Sequence, residues 1–245
     1  MIVAQTKEKL SAMKLSGMLG AFEQWQERGD RQLGPADLLG LLVDAEWTAR
    51  ENRRRTQRLR EARFPVAATV EEIDFGHPRN LRKSQILDLI SCEWIRLHQN
   101  LIITGATGLG KTYLPCALGE KACRDGFRVL YTRTPRLFGE LYQAKADGTF
   151  ARLLQRLAKT DLLIIDDLGC APMEGVERHD LREILEDRYA TRSTIITSQF
   201  DPKKWHSFIG DDTVADAVCD RLTHNAHRIT LQGESIRKMR GMKTR

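Results

Sequence analysis

The stretch Leu101-Ile-Ile-Thr104, running directly into Gly105-Ala106-Thr107-Gly108-Leu109-Gly110-Lys111-Thr112, decides the fold. An apolar run of strand character leads into G-x-x-x-x-G-K-T, and a helical pattern follows; that is the strand–loop–helix setting of a phosphate-binding loop. The spacing has a mechanical basis. Glycines let backbone N–H groups curl round a phosphate that rests on the positive end of the next helix. In such a loop Lys111 reaches the β- and γ-phosphates of a nucleoside triphosphate, and Thr112 offers its hydroxyl to Mg2+.

Working outward from the loop, Asp161-Leu-Leu-Ile-Ile-Asp166-Asp167 lies downstream, with Asp166 55 residues after Lys111. A buried strand ending in two carboxylates is a Walker B arrangement. Asp166 can hold the hydration shell of Mg2+, and Asp167 can polarise an attacking water. A further strand, Thr194-Ile-Ile-Thr-Ser198-Gln199, ends in polar residues, of which Gln199 is the favoured sensor of the γ-phosphate and a plain strand terminus the alternative. Phosphoryl transfer builds negative charge on equatorial oxygens, and an arginine from a neighbouring subunit often completes such sites. Arg221, in Cys219-Asp-Arg-Leu222, is the candidate. Tyr113 is expected at the nucleotide, and it and Phe75 are the aromatic candidates for flanking its base, with packing as the alternative.

Around these motifs, apolar runs at 100–104, 128–132, 161–166, 194–198 and about 227–231 alternate with helical stretches. That alternation predicts an α/β fold, a five-stranded parallel sheet with covering helices and the ligand at the strands' C-terminal ends. Residues 7–63 read instead as a small all-α module, broken at Gly29-Asp30 and near Gly34-Pro35. Leu38, Leu39, Leu41, Leu42, Val43, Ala45 and Trp47 are expected to pack inward. Phe64-Pro65 should end the module. The expected organisation is thus a helical module over 1–65, a linker over 66–80 and an ATPase domain over 81–245.

The chain has 245 residues, 41% hydrophobic, enough for a sizeable core. No apolar run approaches the roughly 20 residues of a membrane span, and the start lacks a signal-like apolar stretch, so the cytoplasm is expected. Five cysteines without a C-x-x-C pair exclude a disulfide framework and a zinc ribbon, and all five are read as reduced and structural. Net charge is +6, and the whole excess falls in residues 221–245, with 7 Lys/Arg against 1 acid. A second concentration lies between Arg50 and Arg63, where seven arginines face Glu51 and Glu61. Arg50, Arg53, Arg54, Arg55 and Arg58 are the candidate contacts to a DNA backbone, a solvated helix face being the competing reading.

Taken together, Leu15-Ser-Gly-Met-Leu19, Leu41-Leu-Val-Asp-Ala-Glu-Trp47, Asn100–Gly105, Leu163-Ile-Ile-Asp-Asp-Leu-Gly169, Thr197-Ser-Gln199 and Arg221-Leu-Thr-His-Asn-Ala-His-Arg228 resemble the IstB family. These are AAA+ ATPases that partner the transposase IstA in bacterial insertion sequences, related to the helicase loader DnaC and the initiator DnaA. The resemblance covers about residues 7–240. It implies an AAA+ P-loop NTPase using ATP and Mg2+, and a homo-oligomer on duplex DNA that bends its target and regulates a transposase. It places the trans-acting finger at Arg221 and gives the helical module a part in assembly and DNA or transposase contact. A DnaC-type loader acting on a helicase is the alternative, and a passive DNA scaffold is a third. The C-terminal helical lid is expected to be reduced or absent, with Arg237 as the sole sensor-2 candidate. Two departures stand out. A helix opening near Gly110 would put Pro115 past its first turn, with an expected kink and altered turnover. Asp167 replaces the glutamate usual in AAA+ proteins, and its shorter arm predicts slow hydrolysis.

Overall fold

A computed structural model describes residues 2–28 and 33–236 and divides the chain into two compact units, Met1–Gln57 and Arg58–Arg245. In the first, α1 (Ile2–Ala12) and α2 (Ser16–Arg28) precede α3 (Pro35–Ala62), whose last turns belong to the second unit. Glu46 organises this unit. Its carboxylate accepts the N–H groups of Gly17 (2.8 Å) and Met18 (3.2 Å) at the start of α2, where four donors lack helical partners. Arg50 and Arg53 pair with its other oxygen at 2.8 and 3.1 Å. Chiefly the hydrogen bond from Arg50, helped by the two N–H groups, holds its pKa at about 2 against the opposing effect of burial. Gly17 permits the close approach, since a Cβ there would stand 2.5 Å from the Ala45 carbonyl oxygen.

The inward packing expected along α3 forms only in part. Leu38, Leu42 and Ala45 are half-buried, whereas Leu39, Leu41, Val43 and Trp47 are exposed, Trp47 by 67%. Apolar positions consecutive in sequence point round the helix rather than along one stripe, so one face cannot cover them all. Lys14, with φ 57°, separates α1 from α2, a break that no Gly or Pro announces.

In the second unit α4 (Lys83–Ile90) and α5 (Glu93–Arg96) lead into β1 (Asn100–Gly105), followed by α6 (Tyr113–Arg124), β2 (Val129–Arg133), α7 (Thr134–Ala146), α8 (Phe150–Lys159), β3 (Leu162–Leu168), α9 (Gly175–Arg188), β4 (Ser193–Ser198), α10 (His206–Ile209), α11 (Asp212–Thr223) and β5 (Ala226–Leu231). The five strands form one sheet in the order β2-β3-β4-β1-β5, every pairing parallel. Alternation along buried strands builds a core on each face. Leu101, Ile103, Ile164 and Ile195 point to one, and Ile102, Leu163, Ile165 and Ile196 to the other. Each such side chain contributes roughly 1.5–3 kcal/mol.

Residues 66–80 carry Ala68, Val70 and Ile73 into the first of these cores. Pro115 is the third residue of α6, and the helical ladder reaches back past it: Leu114 donates to the Gly110 carbonyl at 3.1 Å and Cys116 to the Thr112 carbonyl at 3.4 Å. Pro115 between them has no N–H, so the bond that would run to the Lys111 carbonyl is missing from the ladder just after the loop. Among the described residues no helix is long and apolar enough to cross a membrane. The lid and Arg237 lie outside the described residues.

Candidate nucleotide-binding site

At the C-terminal ends of β1, β3 and β4 a cavity of about 660 Å³ opens, lined by residues of the phosphate loop with Arg133, Asp167 and Gln199 and by Val66, Glu72, Asp74 and Ile236. The loop that forms its wall is built on glycine. Gly105, Gly108 and Gly110 have φ of 148°, 88° and 92°, a region that side-chain-bearing residues avoid. Leu109 turns into the core and anchors the loop, and Lys111, 6% exposed, donates from Nζ to the Ala106 carbonyl at 3.0 Å. Tyr113 lines the same cavity and its hydroxyl lies 3.5 Å from the Thr69 carbonyl and from Glu72. Phe75 packs against the core.

Asp166 is fully buried and is the hub of the site. Its carboxylate accepts hydrogen bonds from the hydroxyls of Thr112 (2.9 Å), Tyr131 (2.6 Å) and Thr197. Three hydroxyl donors compensate the desolvated carboxylate. Burial, then the Asp166 carboxylate beside it, pushes the Tyr131 phenol far above its ordinary range, so that it stays a donor.

Asp167 follows on a break in the strand. The β3–β4 register shifts between Ile165 and Leu168, and Asp167 takes φ 60° while its N–H donates to the Thr197 hydroxyl at 2.9 Å. A bulge of this kind re-aims a side chain, here sending one of two neighbouring acids inward and the other to the cavity wall. There Asp167 pairs with Arg133 at 3.3 Å. Gln199, just past β4, reaches the cavity, whereas Ser198 is buried and donates to the Leu168 carbonyl at 2.7 Å.

Arg221 is placed elsewhere. It sits on α11, pairs with Glu186 at 2.8 Å and Asp220 at 3.1 Å, and lies 5.6 Å from the Tyr189 ring centre. Its carbonyl accepts from Asn100, the first residue of β1, at 3.0 Å. The phosphate loop leaves the other end of that strand, about 16 Å away at the usual rise per residue. The arginine run is also heavily engaged: Arg50 and Arg53 hold Glu46, Arg54 pairs with Glu51 at 2.6 Å, and Arg58 donates to the Cys123 carbonyl at 2.9 Å. Arg55 likewise has a partner.

Sequence reasoning missed Arg133, Tyr131, Thr197 and Arg79, and it read Cys170 as structural, although that thiol is exposed and lines the cavity. Arg133 was findable. It ends β2 opposite Asp166 in register, and C-terminal strand ends are where such sheets place ligand contacts.

The chain is 49% identical over 239 residues to a Sinorhizobium fredii protein described as an insertion sequence ATP-binding protein, covering 97% of this chain and 98% of that one. Its fold is similar to AMPPCP-bound DnaA from Aquifex aeolicus (TM-score 0.60, 21% identity, 74% of this chain and 55% of that chain). It is similar also to the DnaC helicase loader (TM-score 0.53, 20% identity, 64% and 93%). The five-stranded parallel sheet and its loop are those of the AAA+ P-loop ATPases, and with residues 8–244 matching the family of the IstB-like ATP binding protein, the chain belongs to that family.

Proposed function

We propose that this protein is an ATP-dependent helper of DNA transposition, one that binds duplex DNA without sequence specificity, oligomerises on it, remodels it and recruits or regulates a partner transposase. The observation that carries the reading is the separation of one site into two surfaces. Lys111, Thr112, Asp167 and Gln199 meet at the cavity, while Arg221 stands at the opposite end of β1, beyond the reach of its own side chain to that cavity. A second copy would bring its Arg221 to this cavity, so hydrolysis belongs to the interface and requires assembly. Insertion-sequence relatives supply the transposition context.

The residues fit ATP with Mg2+. The Thr112 hydroxyl bonded to the Asp166 carboxylate gives a hard-oxygen pair of the kind Mg2+ uses alongside phosphate oxygens and water. When bound, the nucleotide supplies the scissile γ-phosphate and the metal neutralises charge on it. Lys111 and the loop N–H groups hold the phosphates, Asp166 and Thr112 hold the metal's side, Asp167 orients and polarises water, and Gln199 senses the γ-phosphate end.

Mixing subunits tests the trans arrangement. Arg221→Ala and Asp167→Asn proteins should each be slow alone, yet a mixture should recover phosphate release, because one subunit retains an intact cavity and the other an intact finger. Mixtures no faster than either parent, or an Arg221→Ala protein with full turnover, would overturn it. For the DNA contact, replacing Arg53, Arg54 and Arg55 by alanine should flatten the salt dependence of duplex binding, by about 0.9 in logarithmic slope for each phosphate that is no longer neutralised. An unchanged slope returns the run to a structural role. Capture of a co-encoded transposase supports this reading, and capture of a replicative helicase in its place supports the loader alternative.

A further inference from the structure

Arg79 is 3% exposed, and among the described residues no carboxylate lies within ion-pair distance of it. Its Nη1 donates to the Leu109 carbonyl at 2.9 Å and its Nη2 to the Asp74 carbonyl at 2.8 Å, both main-chain oxygens. Its Nε is buried without a hydrogen-bond partner. The Asp74 carboxylate accepts the Gly76 N–H at 2.8 Å and acts on Arg79 only through space. Buried guanidinium groups are ordinarily balanced by an anion, since neutral carbonyls answer the hydrogen bonds but not the charge.

Arg188 shows the difference. It too is buried without a carboxylate at hand, but it donates from Nε, Nη1 and Nη2 to Thr194, Leu157, Thr160 and Ser193, and it does not line the cavity. Arg79 does line it. Its guanidinium also lies against the phosphate loop: a Cβ on Gly110 would stand 2.5 Å from Nη1. The glycine directly before Lys111 thus leaves room for a cation as well as for a backbone turn. The surrounding chain holds Arg79 there, with the Gln232 N–H donating to the Arg79 carbonyl at 3.1 Å and the Ile236 N–H to the Gly108 carbonyl at 3.0 Å.

We propose that Arg79 is a second cation of the nucleotide site, supplied from outside the loop motif, whose buried charge is balanced by the polyphosphate of a bound nucleoside di- or triphosphate. Its two main-chain hydrogen bonds fix the guanidinium between the phosphate loop at Leu109 and the chain at Asp74, so binding a polyanion requires no rearrangement of it. This rests on the ATP reading of the same cavity.

The test compares ATP, ADP and adenosine on the full chain by competition against a fluorescent ATP analogue, for wild type, Arg79→Gln, Arg79→Lys and Lys111→Ala. Arg79→Gln should weaken ATP and ADP on the order of tenfold or more while leaving adenosine unchanged, as expected for loss of one charge-assisted interaction. Arg79→Lys should keep most of the preference for ATP over adenosine, and it carries the test if the glutamine variant fails to fold by circular dichroism. Equal weakening of ATP and adenosine would make Arg79 a packing residue and overturn the proposal, as would unchanged ATP affinity in Arg79→Gln or loss of the preference in a folded Arg79→Lys. Lys111→Ala separates the two levels. If it leaves ATP binding intact, the ATP reading of the cavity fails; if it abolishes binding while Arg79→Gln does not weaken it, only the role of Arg79 fails.

Discussion

The Thr112 hydroxyl donates to the Asp166 carboxylate at 2.9 Å across 54 residues of sequence. The end of the phosphate loop and the end of β3 are therefore tied directly by side chains. Such preorganisation lowers the cost of assembling a charged site.

Replacing Asp166 by asparagine substitutes an amide for one acceptor oxygen, in a place where Thr112, Tyr131 and Thr197 all donate. The amide cannot accept three hydroxyls and carries no charge for a metal. Steady-state phosphate release should fall on the order of a hundredfold, with ATP still bound. Release near the wild-type rate would remove Asp166 from the site.

Asp167 holds φ 60°, a conformation that costs side-chain-bearing residues about 1 kcal/mol. Asp167→Gly should relieve that strain and hold or raise the melting temperature, while hydrolysis is lost with the carboxylate. Asp167→Asn should trap the ATP-bound form. A glycine variant that turns over ATP normally would show that the strained carboxylate has no part in the chemistry.

Cys170 is exposed at the cavity, whereas Cys92, Cys116 and Cys123 are buried, with burial pushing their thiols up to about 11, 12 and 12. A maleimide should modify Cys170 first, and ATP should slow that reaction. Mass spectrometry of the labelled peptide reads both. Labelling of Cys170 indifferent to ATP would place the nucleotide away from that wall.

Glu46 titrates at about 2 in the fold, below its ordinary 4.5. A carboxylate with a depressed pKa adds stability above its unfolded value, and that stability fades as pH falls through the window from about 4.5 to 2. Glu46→Gln should therefore lower the stability of the N-terminal unit at neutral pH, and the gap from wild type should close as acid is added across that window. A gap independent of pH would mean that the side chain acts by shape alone.

The strands were legible because their signal is local. Apolar β-branched runs bounded by polar residues located β1 to β5 to within about two residues at each end, and the loop motif set the sheet's class. Pro115 was legible as a gap in the helical ladder just after the loop, because a proline lacks the N–H wherever it stands. The α3 apolar positions misled because sequence shows hydrophobicity but not what is available to cover it. Arg79, Tyr131 and Thr197 were illegible for a different reason. Each matters through a partner 30 or more residues away, and nothing in its own neighbourhood marks it.

The hydrogen bond between His77 and the Glu234 carbonyl spans 157 residues, and with Gln232–Arg79 and Ile236–Gly108 it laces residues 77–79 and 232–236 together beside the phosphate loop. Nucleotide held there would shut a ring of chain, so the two segments would lose their freedom together. In amide exchange they would slow as a single block, making two stretches that lie outside the loop motif the sharpest reporters of whether the cavity is filled.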